Sequence, residues 1–320
     1  MDLQVKLGTL TLKNPVLAAA GTFGYGVEFA RSVKLERLGG LITKTLTRQP
    51  REGNPPPRLV ETPSGLLNSV GLQNMGLEPF LRKTLPALHA YDVPVIVSIL
   101  SDTPEELGAM ARDLDAADGA AAVELNLSCP NLNDSRRPKA EGQGLGPPAS
   151  GLRPHMVAQD AAATFTMVQA ARTGTRKPII AKLSPDVTDL VPIAQAAERA
   201  GASALCLGNT FAGMSLDAAT RRSRLGAMTG GLSGPAIRPL AVYRVWYTAR
   251  SVGIPVIGLG GIVRAEDAVE FFLAGASAVA VGTAHFADPR ACLRVLDGLS
   301  RYGARHRLRS LADLRGALQT

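Results

Sequence analysis

Eight short apolar runs, each followed by a stretch of helical periodicity, recur along the whole chain of 320 residues. They are rich in β-branched residues, as expected of strands that are buried on both faces. The runs cover residues 15–20, 40–45, 94–100, 121–127, 178–183, 204–210, 255–260 and 278–283. Eight strands that alternate with helices are typical of a (β/α)8 barrel. We therefore predict an α/β chain whose residues 1–320 form a single TIM-barrel domain.

A doubly wound sheet with a second domain is the alternative architecture. It would require a break in composition along the chain, and the sequence has none. Residues 5–13 alternate between apolar and polar side chains, which predicts a small N-terminal β-hairpin at the bottom of the barrel. Helix signals occur at residues 103–106, at residues 187–189 before Gly201, and at Arg264 before Gly275.

The spacing of the runs predicts where a site is built. Strands 1 and 2, 3 and 4, 5 and 6, and 7 and 8 start about 25 residues apart, but the intervals after strands 2, 4 and 6 are about twice as long. Loops that follow barrel strands lie at the C-terminal face, where barrel enzymes carry their catalytic groups. We expect the long loops after strands 2, 4 and 6 to form the substrate site.

Composition narrows the class of protein. The chain is 46% hydrophobic and 19% charged, which is typical of a globular protein. It has no apolar run of transmembrane length, its first residues do not resemble a secretion signal, and its three cysteines are scattered, so we expect a cytoplasmic location and no membrane partner.

The net charge of +8 includes an arginine cluster near the C-terminus. We interpret this cluster mainly as a solvated helical face, with an acidic protein partner or anionic substrates as the alternatives. Aromatic residues make up only 4% of the chain and are not interleaved with the basic ones, so nucleic-acid binding is not expected.

Polar residues stand at or just after the ends of the apolar runs. They are Lys44, Asn126, Cys129, Lys182, Asn209 and Thr210. A lysine in an apolar run is costly to bury unless it meets an anion or an acceptor, so Lys44 and Lys182 indicate a ligand site. The alternative for these two lysines is a snorkelling or ion-paired side chain.

Glycines end the last two runs, at residues 258–261 and at Gly282 followed by Thr283. Glycine lets a backbone approach a ligand closely, and the loops after strands 7 and 8 are the common phosphate site of barrels. We therefore expect a ligand that carries phosphate. Cys129 follows strand 4, where a thiol close to cations can act as a base or nucleophile, whereas Cys206 and Cys292 read as structural thiols. The four histidines show no spacing typical of metal ligands.

These segments together resemble the class 1 dihydroorotate dehydrogenases. The matching segments are residues 14–26, 43–45, 51–58, 67–74, 126–131, 182–185, 209–210, 230–237, 258–261 and 282–283. Residues 21–24 (Gly-Thr-Phe-Gly) and 53–58 (Gly-Asn-Pro-Pro-Pro-Arg) are most similar to the NAD-linked subclass. The quinone-linked class usually has an N-terminal helical extension and a serine base, so the resemblance to it is weaker.

The resemblance implies an FMN cofactor and a set of ligand residues. FMN would contact Ala20, Lys44, Thr45, Ser98, Asn126, Lys182, Gly208, Gly234, Gly260, Gly261, Gly282 and Thr283. Ser98 stands where the family often has an asparagine. The substrate would contact Lys44, Asn68, Ser69, Val70, Gly71, Leu72, Asn126, Asn131, Asn209 and Thr210.

The resemblance also implies a reaction and partners. The chain would oxidise (S)-dihydroorotate to orotate in pyrimidine biosynthesis, with Cys129 as the general base and FMN as the hydride acceptor. It would form a homodimer, or a heterotetramer with a second subunit that carries FAD and an iron–sulfur cluster. Residues 132–154 form a longer and more polar loop than is typical of the lid over the catalytic cysteine.

Three other functions fit the same features. A barrel similar to dihydropyrimidine dehydrogenase would share FMN and the cysteine but act on uracil or thymine. A fumarate-linked dihydroorotate dehydrogenase would need no second subunit. A non-catalytic FMN-binding scaffold would show no dependence on Cys129.

Overall fold

A computed structural model describes residues 1–128 and 156–319 of the chain. Eight parallel strands form a closed barrel in chain order, and pairing between the fifth and sixth strands is part of the closed ring. We number them β1 to β8: Val16–Ala18, Gly40–Ile42, Val95–Ile99, Ala120–Asn126, Ile179–Leu183, Ala204–Leu207, Val256–Leu259 and Ala278–Val281. The structure confirms the predicted TIM barrel, and each of the eight apolar runs contains a barrel strand.

Most of the strands end before the runs do. β2 ends at Ile42 and β6 ends at Leu207, so Lys44 and Asn209 lie just beyond the regular hydrogen-bonded ladder. Asn126 and Lys182, in contrast, are paired residues within β4 and β5. The polar residues selected from the sequence therefore occur both inside the strands and in the turns that follow them.

Helices surround the barrel. The long ones are Pro104–Ala116, Ala161–Gly174, Val191–Arg199, Arg238–Ala249, Ala265–Leu273 and Ala291–Arg305. After β2 the chain forms the α-helical turns Leu77–Pro79 and Leu85–Leu88 with a π-helical turn, Phe80–Thr84, between them. Short 3₁₀ helices lie at Val27–Phe29, Leu35–Arg37, Val157–Gln159, Pro235–Ile237, Thr283–Phe286 and Leu311–Asp313.

Two of the three predicted helix starts are confirmed, and one was too early. Thr103 accepts a hydrogen bond from the backbone of Glu106, the capping interaction expected of this sequence. The helix expected at residues 187–189 begins instead at Val191, whose backbone N–H donates to Asp189 Oδ1 at 3.0 Å. That bond turns the chain before the helix starts, because an aspartate side chain competes for local backbone donors.

The core has two separate parts. One lies between the barrel and the helices, and the other fills the barrel interior with side chains such as Leu17, Ile96 and Ile180. The predicted N-terminal hairpin is present as Val5–Leu7 paired with Leu10–Leu12, and its Leu7 and Leu12 belong to the interior cluster. The hairpin therefore closes the bottom of the barrel, as expected.

The long loops after β2 and β6 combine into one antiparallel sheet of four strands, which we call the cap sheet. Its strands are, in spatial order, Phe211–Gly213, Gly230–Ser233, Gly65–Asn68 and Leu59–Thr62. The long loop after β6 carries a further two-stranded ribbon, Leu216–Asp217 with Arg222–Ser223. Residues 129–155, which make up most of the long loop after β4, lie outside the described residues.

The surface agrees with the interpretation of the charge. All five arginines of the C-terminal cluster are solvent-exposed, as a solvated face predicts: Arg301, Arg305, Arg307, Arg309 and Arg315. In the part of the chain that the structure describes, no helix combines the length and the apolar character needed to span a membrane.

The hairpin generates a prediction about stability. Leu12→Ala should lower the free energy of unfolding by about 3 kcal/mol, because it leaves a cavity under the barrel interior. Thr11→Ala is the matched control, since Thr11 is exposed in the same strand and its loss should cost less than about 0.5 kcal/mol. Urea denaturation measures both variants. Equal effects of the two substitutions would show that the hairpin does not plug the barrel.

Candidate active site

A cavity lies between the C-terminal ends of the barrel strands and the cap sheet. Its lining comes from the ends of most barrel strands and from the long loops after β2 and β6. The lining residues are Ala19, Ala20, Gly21, Thr22, Lys44, Thr45, Leu59, Asn68, Val70, Gly71, Leu72, Asn126, Lys182, Asn209, Thr210, Ser233, Gly234, Ile237, Leu259, Gly260, Gly261, Gly282, Thr283 and Phe286. The site is therefore where the loop lengths predicted it.

Most of the residues selected from the sequence meet in this cavity. They are Ala20, Lys44, Thr45, Asn68, Val70, Gly71, Leu72, Asn126, Lys182, Asn209, Thr210, Gly234, Gly260, Gly261, Gly282 and Thr283. Cys129 and Asn131 lie outside the described residues. Ser69, Ser98 and Gly208 are described but do not line the cavity, and their contacts with ligands stay predictions.

Each of these three residues has a structural role nearby. Ser69 is buried, and its hydroxyl accepts a hydrogen bond from Asn54 Nδ2 at 2.9 Å. A Cβ on Gly208 would lie 2.1 Å from the carbonyl oxygen of Leu259, so glycine is required there by close approach to β7. Ser98 is fully buried below the cavity floor.

Five glycines on the lining have a positive φ angle, and three of them belong to the predicted phosphate site. Gly234, Gly260 and Gly261 have φ angles of 96°, 135° and 73°, in the region that residues with a Cβ rarely adopt. Gly282 differs, because a Cβ there would make only ordinary contacts, the nearest at 3.7 Å to Ala19. The loops after β7 and β8 thus bring backbone to the cavity surface, as the glycine pattern predicted.

The charged side chains on the described lining are both cationic. Lys44 and Lys182 lie at the ends of β2 and β5, and Lys182 is only 4% exposed. A cavity whose charged lining residues are all of one sign favours a ligand of the opposite sign, here an anion.

A hydrogen-bonded chain runs down from the cavity floor into the barrel. Asn126 Nδ2 donates to Thr45 Oγ1 at 3.0 Å, and Thr45 Oγ1 lies 2.9 Å from Ser98 Oγ. Ser98 Oγ in turn donates to Glu124 Oε1 at 2.8 Å. This series of hydrogen bonds connects two lining residues with a carboxyl group that is completely buried in the barrel interior.

Glu124 is the residue that the sequence analysis missed. Burial raises the pKa of Glu124, whereas the positive charge of Lys182 and the hydrogen bond from Ser98 oppose that rise. The available signal was the alternation along β4, which puts Ala122, Glu124 and Asn126 on the same interior face. Glu124 is the single charged residue in the apolar run of residues 121–127.

Hydrogen bonds join the ends of β4 and β6 above the layer that contains Glu124. Asn209 Nδ2 donates to the carbonyl oxygen of Ser128 at 2.9 Å and to its hydroxyl at 2.8 Å. Asn209 Oδ1 accepts from the backbone N–H of Thr210 at 2.9 Å. Asn68 Nδ2 donates to the carbonyl oxygen of Gly231 at 3.1 Å, within the cap sheet. These amides hold the cavity wall in place as well as lining it.

A buried histidine supports the wall from behind. His285 Nδ1 lies 3.4 Å from the hydroxyl of the lining residue Thr22, and His285 Nε2 lies 3.2 Å from Cys292 Sγ. Burial lowers the pKa of His285 to about 4 and raises the pKa of the Cys292 thiol. Both groups are therefore neutral at pH 7, and Cys292 is a structural thiol as expected.

Several other lining residues were not selected from the sequence. They are Ala19, Gly21, Thr22, Leu59, Ser233, Ile237, Leu259 and Phe286. Most are apolar or small, and nothing in a single sequence distinguishes them from ordinary core and loop residues. Leu59 and Ser233 reach the cavity only because two distant loops pair in the cap sheet.

Comparisons with known proteins give a consistent result. The family model described as "Dihydroorotate dehydrogenase" matches residues 2–302. The chain is 49% identical over 313 residues to the "Dihydroorotate dehydrogenase B (NAD(+)), catalytic subunit" of Desulforudis audaxviator, covering 98% of this chain and 96% of that protein. Proteins with the same description from Pelobacter propionicus and Trichlorobacter lovleyi are 47% and 46% identical, and each match covers 99% of this chain and at least 98% of the relative.

The buried histidine makes stability depend on pH. The pKa of His285 falls from 6.5 to about 4 on folding, so its contribution is present above about pH 6.5 and is lost as the pH falls to about 4. At about 1.36 kcal/mol per pKa unit, the loss amounts to about 3 kcal/mol.

Urea denaturation between pH 7 and pH 4 tests this expectation. His285→Gln should show a shallower loss of stability than the parent. His306→Gln removes an exposed imidazole and should keep the parent's profile. If His285→Gln follows the parent curve, His285 does not cause the acid sensitivity.

Proposed function

The chain belongs to the dihydroorotate dehydrogenase family, and from this premise we propose that its barrel mouth oxidises dihydroorotate to orotate with FMN as the cofactor. This reaction belongs to pyrimidine biosynthesis, and the relatives place the chain with the NAD-linked catalytic subunits. The observation that supports the site is the cavity in which Lys44, Lys182 and the glycines after β7 and β8 meet. We propose that residues 1–320 act as one FMN-binding domain.

The residues on the cavity wall fit FMN. Gly234, Gly260 and Gly261 expose backbone at one side of the cavity, as a phosphate group requires. Lys182 and Asn126 lie on the floor, where they would meet the polar edge of the flavin ring. Ser98 was expected to contact the ring, but its hydroxyl is used by Thr45 and Glu124 below the floor.

The same cavity suits a small anionic pyrimidine. Lys44 supplies a positive charge for a carboxylate, and Asn68, Asn126 and Asn209 supply amide groups. An asparagine carries both a donor and an acceptor, so it can pair with either the N–H or the C=O groups of the substrate ring. The loop of Val70, Gly71 and Leu72, whose Gly71 and Leu72 have positive φ, completes this side of the cavity.

We assign the general base to Cys129, which follows β4 within residues 126–131. The assignment rests on the sequence motif, and the structure places the preceding Ser128 against Asn209 at the cavity. Cys129 would remove the proton from C5 of dihydroorotate. When it is bound, FMN supplies a hydride acceptor for C6. The protein's part is to position the substrate and to hold charge next to it.

A second subunit belongs to the same proposal. The relatives are described as catalytic subunits of an NAD-dependent enzyme, which implies a partner that passes electrons to NAD. We propose that this partner carries FAD and an iron–sulfur cluster, and that the chain described here works in a homodimer or in a heterotetramer with it. The cytoplasmic location stays a prediction from cysteine usage.

The main competing reaction is that of a dihydropyrimidine dehydrogenase, which would reduce uracil or thymine in a similar barrel. Those bases lack a carboxylate and would leave the charge of Lys44 without a partner on the substrate. Residues 67–74 would also have no carboxylate to contact. The family match and the cationic lining therefore both favour dihydroorotate.

A visible spectrum of the purified protein tests the cofactor and the substrate together. We expect a flavin spectrum that bleaches when dihydroorotate is added under anaerobic conditions. Dihydrouracil at the same concentration is the control and should bleach it far more slowly, because it lacks the carboxylate. A protein that cannot be loaded with FMN would exclude the proposed function, and equal bleaching by the two compounds would exclude the proposed specificity.

The base is tested by Cys129→Ala. The variant should keep its bound flavin but be reduced by dihydroorotate about 100-fold more slowly, the usual scale for loss of a general base. Stopped-flow absorbance measures the rate. Cys292→Ala is the matched control, because Cys292 is a buried thiol that does not line the cavity, and the flavin of this variant should be reduced at the parent's rate. An unchanged rate for Cys129→Ala would remove this residue from the mechanism.

A further inference from the structure

Glu124 is a buried acid that the proposed reaction does not use. Its side chain is 0% exposed, it lies in the barrel interior, and one of its oxygens accepts from Ser98. The other oxygen, Oε2, is buried and has no hydrogen-bond partner among the described residues. An unsatisfied carboxyl oxygen in a protein interior is costly, so its retention requires a reason.

The position of Glu124 is directly below the cavity floor. It precedes Asn126 by two residues on β4, so both side chains point into the barrel and Glu124 lies one layer deeper. Asn126 is paired with Lys182 across the β4–β5 ladder, and both line the cavity. The carboxyl group thus lies one interior layer below Asn126 and Lys182, the two residues that would meet the flavin's polar edge.

The charged neighbours of Glu124 are few. Lys182 is the cation that acts on it, and Ser98 from β3 supplies its hydrogen bond. Cys206 from β6 is also close, but burial raises the pKa of this thiol to about 12, so it adds no charge at pH 7. Burial opposes the ionised form of Glu124, and the positive charge of Lys182 favours it, in a layer where Glu124 itself is 0% exposed.

The carboxyl group also fixes the direction of the hydrogen-bonded chain above it. Ser98 donates its proton to Glu124, so it must accept from Thr45, and Thr45 accepts from Asn126. An acceptor at the bottom makes every group above it a donor in the downward direction. Asn126 is thereby held with its amide nitrogen toward Thr45 and its oxygen toward Ser128.

We propose that Glu124 is a positioning residue that acts as the counter-charge of Lys182 and fixes the orientation of Asn126, and thereby sets the reduction potential of the bound flavin. This inference rests on the proposed FMN site. A cation beside the ring stabilises the negative charge that reduction adds, and a carboxylate beneath that cation opposes the effect. Because the interior screens charges poorly, one buried carboxylate is sufficient to change the potential measurably.

The test is the midpoint potential of the FMN-loaded protein, measured by spectroelectrochemical titration, together with the FMN dissociation constant. Glu124→Gln keeps the shape of the side chain and removes its charge, so the potential should shift to a more positive value while FMN still binds. Ser98→Ala removes the hydrogen bond that stabilises the carboxylate and should shift the potential in the same direction by a smaller amount. Cys206→Ala is the control, because Cys206 is a buried neighbour of Glu124 that carries no charge at pH 7, and its loss should leave the potential unchanged.

The outcomes separate this inference from the proposed function. A parent that cannot bind FMN would overturn both. A loaded parent with no shift, or a negative shift, in Glu124→Gln would overturn the role of Glu124 and leave the FMN site intact. Should Glu124→Gln fail to fold, Ser98→Ala decides, and an unchanged potential in that variant counts against the proposal. Loss of FMN from both variants would show a purely structural role and would equally overturn it.

Discussion

A closed parallel barrel gives its interior side chains access to solvent and ligands only at its two ends. Every second residue of each strand points inward, so the interior is a column of layers whose chemistry changes along the barrel axis. In this chain the bottom layers contain Leu17, Ile96 and Ile180, with the hairpin leucines beneath them. The top layers contain Glu124, Lys182 and Asn126. Most strands therefore contribute to stability at one end and to the ligand site at the other.

The cap sheet depends on this closure in turn. β2 and β6 lie on opposite sides of the ring, with three strands between them in either direction, so their long loops can meet only above the barrel axis. When they meet, strand Gly65–Asn68 pairs with Gly230–Ser233 and encloses the space above the interior column. Each loop forms its own antiparallel pair of strands, and pairing between the two loops satisfies further backbone groups of the inner strands. The enclosed cavity is consequently a product of strand order as well as of loop sequence.

Sequence reasoning identified the parts of this arrangement that local chemistry determines. The apolar runs gave all eight strands, and residues such as Lys44, Lys182 and Gly260 were recognised because a charge in an apolar run or a glycine after a strand is unusual by itself. The parts it missed depend on contacts between distant segments. Ser69 does not line the cavity and accepts a hydrogen bond from Asn54, and Leu59 reaches the cavity through the cap sheet. Residues 187–190 were expected to be helical, but the Asp189 side chain turns the chain first.

The opposite signs of Lys182 and Glu124 explain why the barrel interior tolerates both residues. Lys182 alone would be a cation in an apolar strand, and Glu124 alone would be an acid in another, and each would be expensive without the other. They are placed one layer apart on neighbouring strands, where the charge of Lys182 favours the ionised form of Glu124 while Lys182 remains at the cavity surface. Lys44 lines the cavity two residues beyond Ile42, which points into the barrel interior. Lys182 thus lies one layer above the buried acid, and in the proposed function Lys44 provides a positive charge that an anionic substrate would meet.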